Sequence, residues 1–140
     1  MVFITPNMRD IIVSEAMGTL QLASILKENN ISCKIVPFYQ IGDLSDFDTF
    51  IKNAIKILDE SKPKIVSFYT RCDVYHIDLM LARVIKDKWP DMYIVCGGPQ
   101  SDITSVQTIE QISFIDYICC GVGEKTIYPF FLPFWLENQI

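Results

Sequence analysis

The sequence is sparing in the residues that most often carry chemistry. Its only histidine, His76, has no metal-ligating partner three or four residues further on. The five cysteines (Cys33, Cys72, Cys96, Cys119 and Cys120) form no C-x-x-C pair. Adjacent residues of a strand point to opposite faces, so Cys119 and Cys120 are not expected to share one ion. No structural metal or iron–sulfur centre is therefore expected. Basic residues are outnumbered, with 12 Lys and Arg against 17 Asp and Glu and a net charge of −5. They form no cluster, and a nucleic-acid partner would need a basic face. No run approaches the roughly 20 apolar residues that cross a bilayer, so no membrane partner is expected. The opening Met1-Val2-Phe3-Ile4-Thr5-Pro6 has neither the basic leader nor the apolar core of a signal peptide. The cysteines then read as reduced thiols, mostly buried in β-like runs, and the chain as cytoplasmic. Repeats, low-complexity tracts and linkers are also missing, and 140 residues suffice for one domain with one core.

What is present is an alternation of strand-like and helix-like segments, repeated five times. The strand-like runs are Phe3 to Thr5, Lys34 to Phe38, Ile65 to Tyr69, Met92 to Cys96 and Asp116 to Cys120. Pro37 marks the second as an edge strand or a strand end. The third and fourth are almost continuously apolar, as strands buried on both faces are. The clearest helix stripe joins Phe47, Phe50, Ile51, Ala54, Ile55 and Leu58 at steps of three and four, with Ser45 or Asp46 as its cap. A first helix spans about Met17 to Glu28. Another carries Ile77, Leu81, Val84 and Ile85 behind Asp73 as N-cap, and a short one runs near Thr104 to Ile112. The aromatic segment Phe130 to Leu136 reads as a last helix broken by Pro133, or as a surface docking a neighbour or a second copy in a homodimer. Five such units predict a doubly wound α/β fold, a five-stranded parallel sheet of flavodoxin-like order 2-1-3-4-5 with helices on both faces.

In such a sheet the ligand sits outside the carboxyl ends of the strands. The loop Thr5 to Asp10, containing Met8 and Arg9, is long for a β–α connection, which suits a functional loop and a plain surface loop alike. After the third strand, Ser67, Tyr69 and Thr70 supply hydroxyls for a ligand or for capping the next helix. After the fourth, Gly97-Gly98-Pro99 lets a large flat ligand approach the backbone. After the fifth, Gly121-Val122-Gly123-Glu124 offers N–H groups at a helix start, where Glu124 would also complement the helix dipole. Continuing through Lys125 and Thr126, that segment only superficially resembles a Walker A loop. The upstream glycine is missing, Glu124 separates glycine from lysine, and it follows the last strand. No G-x-G-x-x-G follows the first strand, no Asp ends the third, and no nucleophile–base set is evident. The residues describe a binding scaffold without a catalytic constellation.

Taken together, four segments resemble the cobalamin-binding domain that precedes radical S-adenosylmethionine catalytic domains. They are Glu15 to Leu26 with its Gly18 and Leu22-Ala23, Pro63 to Thr70, Pro90 to Pro99, and Asp116 to Glu124. The resemblance covers nearly the whole chain. It implies a cobalamin-binding module whose cofactor residues are Met8, Arg9, Ser67, Tyr69, Thr70, Gly97, Gly98, Pro99, Gly121, Gly123 and Glu124. Asp-x-His-x-x-G is missing, so the implied corrinoid has no histidine lower ligand, and its tail runs past Ser67, Thr70, Gly97 and Gly98 while Met8 to Asp10 face the corrin. Val122 replaces the family's usual first glutamate. Cys-x-x-x-Cys-x-x-Cys is also missing, so S-adenosylmethionine and an iron–sulfur cluster are expected only in a radical S-adenosylmethionine domain, a methyltransferase partner supplied in cis or in trans. Two other readings stand beside this one. The chain is then either a degenerate member that binds no corrinoid and serves in interaction or substrate recognition, or a flavodoxin-like flavin or nucleotide protein.

Overall fold

The computed structural model describes residues 1–6 and 16–136. Its elements alternate as expected. β1 (Val2–Thr5), β2 (Lys34–Pro37), β3 (Ile65–Tyr69), β4 (Tyr93–Gly97) and β5 (Tyr117–Cys119) form one parallel sheet in the order β2-β1-β3-β4-β5. The helices are α1 (Ala16–Glu28), α2 (Phe38–Ile41), α3 (Phe47–Ser61), α4 (Tyr75–Lys88), α5 (Pro99–Gln111) and α6 (Gly123–Leu136). The fold is the flavodoxin-like one read from the sequence.

Strand alternation divides the molecule into two cores. Val2 and Ile4, Val66 and Phe68, and Ile94 and Cys96 point to one face, where Phe50, Ala54 and Leu58 of α3 and Leu81, Ala82 and Ile85 of α4 cover them. Phe38 meets Phe50 edge-on with ring centroids 5.3 Å apart. Each buried Val, Leu, Ile or Phe side chain among them contributes about 1.5–3 kcal/mol. The opposite face is thinner. There Phe3, Ile65 and Val95 lie under Leu26 of α1 and Ile127 and Phe131 of α6. Register places Phe3 beside Ser67, Ser67 beside Val95, and Val95 beside Tyr117. The second face of the sheet is thus a row of four neighbours at mid-strand.

Local chemistry fixes the element ends. The Asp46 carboxylate accepts from Thr49 N–H at 3.1 Å and caps α3, one of the two caps expected. Lys62 closes α3 in the left-handed conformation, donating its N–H to Leu58 O. At the outer edge Asp116 works as a clamp. Its carboxylate accepts from Ile94 N–H at 2.7 Å and from Lys86 Nζ at 2.9 Å, and Lys86 also donates to Met92 O. That arrangement ties α4, the start of β4 and the approach to β5 into one unit.

Several boundaries differ from the sequence reading. β2 does end at Pro37, on an edge, but Phe38 opens the short α2 instead of extending the strand. β5 is three residues because Asp116 is spent on the clamp and Cys120 is already exposed. α5 starts at Pro99 rather than near Thr104. Proline is preset for a first helical position, and the non-helical Thr104 (φ −115°, ψ 17°) is a kink inside the helix. Asp73 does not cap α4, since its carboxylate pairs with Arg71 and Val74 holds the cap position without a side-chain bond. Pro133 does not break α6, which continues to Leu136. Pro129 and Pro133 lie four residues apart and both are exposed, so the carbonyls they leave without N–H partners are open to water. All five cysteines are free, but only Cys96 is fully buried. Cys72 and Cys120 fall just past their strands and are exposed. No helix among the described residues is long and apolar enough to cross a membrane.

Candidate functional site

The thin face opens into a cleft of about 170 Å³ between α1, α6 and the sheet. Its floor is Phe3, Ser67, Tyr69, Val95, Gly97 and Cys119, all from alternate positions on the same face of β1, β3, β4 and β5. One wall is Thr19 and Leu22 of α1, and the other is Thr126, Ile127 and Phe130 of α6. Gly98, Gly121 and Gly123 form the rim at the carboxyl ends, and Glu124 stands in the first turn of α6. Met1 and Phe131 close the far end.

Seven of the residues expected at the site line this cleft: Ser67, Tyr69, Gly97, Gly98, Gly121, Gly123 and Glu124. Thr70 and Pro99 do not. Thr70 is wholly buried and its hydroxyl bonds inward, to Gly97 O at 3.1 Å and to the Ser101 hydroxyl at 2.7 Å. Its backbone N–H donates to Gly97 O at 2.7 Å. Thr70 therefore fastens the start of α5 to the ends of β3 and β4. Pro99 is exposed at the first position of α5. Met8 and Arg9 lie outside the described residues.

The glycines of the rim separate on geometry. Gly98 has φ +111°, and a Cβ there would meet Thr70 O at 2.9 Å, so its bareness serves the turn itself. Gly121 has φ +76°, and its N–H donates to the Asp102 carboxylate at 2.8 Å. Gly123 lets α6 approach Leu22, which a Cβ would meet at 3.2 Å. Gly97 is different. It has no left-handed φ, and a Cβ there would meet Cys119 O only at an ordinary 3.5 Å. Its missing side chain serves no local fold requirement; it leaves the cleft floor flat.

The electrostatics are spare. Among the described residues no Lys or Arg side chain lines the cleft, and Glu124 is the one charged side chain there. The Met1 α-amino group donates to Ser32 O at 2.9 Å, and burial lowers its pKa. Burial pushes the Cys119 thiol up, which leaves it protonated and poorly nucleophilic. On the opposite face, Cys96 is raised further for the same reason. His76 is exposed on α4, on the other side of the sheet from the cleft. Among the described residues there is no group of three or more His, Cys, Asp or Glu arranged to hold a metal ion.

The strand-end part of this site was readable in sequence. The helical walls were not singled out, although Thr19, Leu22 and Leu26 recur at steps of three and four on α1. What the arrangement can do is bind and shield a small, largely apolar group, with hydroxyls at Ser67, Thr19 and Thr126 along its sides. Among the described residues it contains no paired acid and base and no activated nucleophile. No family model, no curated protein and no solved structure matches the chain.

Proposed function

We propose that this chain is a cobalamin-binding module, with the cleft holding the nucleotide-like tail of the corrinoid and a radical S-adenosylmethionine domain, in cis or in trans, using the cofactor. The single observation that carries the reading is the bare floor at Gly97, in a cleft that opens at the carboxyl ends of the strands. An apolar space of about 150 Å³ takes one benzene ring, so about 170 Å³ that is open at the rim suits a flat bicyclic base. The residues present fit that group: apolar walls for the ring, hydroxyls for its ribose, and no histidine in the lining to serve as lower ligand. Cobalt would supply methyl-group transfer when the corrinoid is bound. This chain's own residues would bind the tail, orient it and exclude water, and the chain alone would turn nothing over.

A flavin or nucleotide reading is less well supported, because a terminal phosphate needs a cradle of N–H groups or cations. Among the described residues no Lys or Arg side chain lines the cleft, and Gly121 N–H is already taken by Asp102. The degenerate reading draws on the inward-turned Thr70 hydroxyl, which is withdrawn from any ligand.

Titration with hydroxocobalamin and methylcobalamin, followed by visible absorbance and calorimetry, separates these readings. Saturable binding with a tail-displaced spectrum, lost in Gly97→Leu, is the expected result. No binding at high micromolar cobalamin by the folded protein would refute the module as proposed and favour an interaction domain.

A further inference from the structure

A cleft whose described lining carries one charged side chain, at its mouth, discriminates by charge. We infer that Glu124 is a specificity residue: the cleft accepts an uncharged flat aromatic group and rejects an anionic one of the same shape. Three observations converge. Glu124 sits in the first turn of α6, half-buried, and belongs to the lining. The neighbouring Lys125 is exposed and does not line the cleft, so the carboxylate is not matched by a cation there. The cationic group nearest the far end, the Met1 α-amino group, donates to Ser32 O.

The walls amplify the effect. Leu22, Val95, Ile127 and Phe130 line the interior with apolar surface, and charges interact more strongly where the dielectric is low. The N-terminal dipole of α6 would by itself welcome an anion. Glu124 occupies that position in advance and reverses its sign. Uncharged hydroxyls at Ser67 and Thr19 remain for hydrogen bonding, and Thr126, whose hydroxyl donates to Gly123 O, can still accept, so polarity is admitted but negative charge is not.

This inference rests on the cleft being the ligand site, and not on the ligand being cobalamin. The test uses two flat bicycles that differ in one charge, benzimidazole and benzimidazole-5-carboxylate, near neutral pH. Dissociation constants come from calorimetry, and amide chemical shifts at Ser67, Gly97 and Thr126 locate the binding. The expected result is that benzimidazole binds in the cleft at least about tenfold more tightly than its carboxylate. In Glu124→Gln the gap should shrink to about threefold or less, while Glu124→Asp should keep it. Glu110→Gln, an exposed change on α5 outside the lining, should leave both constants alone. Equal binding of the two bicycles, a gap unaltered in Glu124→Gln, or failure of benzimidazole to bind would each overturn the assignment. Discrimination without cobalamin binding would sink the corrinoid reading alone. Cobalamin binding with no discrimination would sink the role of Glu124 alone.

Discussion

Asp78 should make this protein steadily less stable as pH rises through the neutral range. The side chain is 1% exposed in the core between α4 and the sheet, and neither carboxylate oxygen has a hydrogen-bond partner. Burial, assisted by Asp73, raises its pKa from 3.8 to about 8. Cys96 also faces it, with its thiol raised by burial and so uncharged. The sign follows from proton counting. The folded state holds the Asp78 proton more tightly than the unfolded chain, so folding is favoured at low pH. That contribution fades from about pH 4, where the unfolded group ionises, to about pH 8, where the folded one does. Between about pH 5.5 and about pH 8.5 some two and a half pH units of this window are crossed. At 1.36 kcal/mol per unit, the loss is about 3 kcal/mol. Asp78→Asn removes the titration while keeping the shape of the protonated acid. Urea denaturation of both proteins at the two pH values is the assay. The wild type should lose about 1.5–2 M in its midpoint on going to alkaline pH, for slopes near 1.5–2 kcal/mol per M, and the variant far less. Equal midpoint losses in the two proteins would refute the assignment of this titration to Asp78.

Three further outcomes follow from the geometry. Gly98→Ala should cost about 2 kcal/mol or more in urea denaturation, because of its φ of +111° and the contact with Thr70 O, while Gly97→Ala should cost under about 1 kcal/mol; similar costs would undo the distinction drawn between them. Asp116→Ala should destabilise by about 2–3 kcal/mol, since it strands Ile94 N–H and leaves Lys86 only its bond to Met92 O, and a neutral result would show the clamp to be dispensable. Ellman's reagent should label Cys72 and Cys120 quickly in the native protein and Cys96 only on unfolding, and rapid native labelling of Cys96 would contradict its burial.

The sheet was legible because its signals are local. The apolar runs at Ile65 to Tyr69 and Met92 to Cys96 and the periodic stripe from Phe47 to Leu58 are the features on which its order and its best helix were read. The start of α5 was hidden because Gly97-Gly98-Pro99 reads equally as a turn and as a helix entry. Asp73 looked like a cap until Arg71, two residues away, was seen to compete for its carboxylate. Thr70 belonged to the strand-end pattern that suggested a ligand, yet its hydroxyl serves Ser101, 31 residues on, a pairing no window of sequence displays. The same holds for Asp116. Within the Asp-Tyr segment that carried the family resemblance, it is a fastening between Lys86 and β4. The burial of Asp78 was invisible for a related reason, since a lone acid in an amphipathic helix looks solvated until the packing is known.

The two walls of the cleft, α1 and α6, are far apart in the described chain, while its floor is drawn from β1, which precedes α1, and from β3, β4 and β5, which precede α6. A ribosome-bound chain that has released β5 but not α6 therefore carries a finished sheet whose Phe3, Ile65 and Val95 lie partly uncovered. Within this fold the cleft gains its second wall only with α6, and until then that open face is the surface a chaperone would be expected to guard.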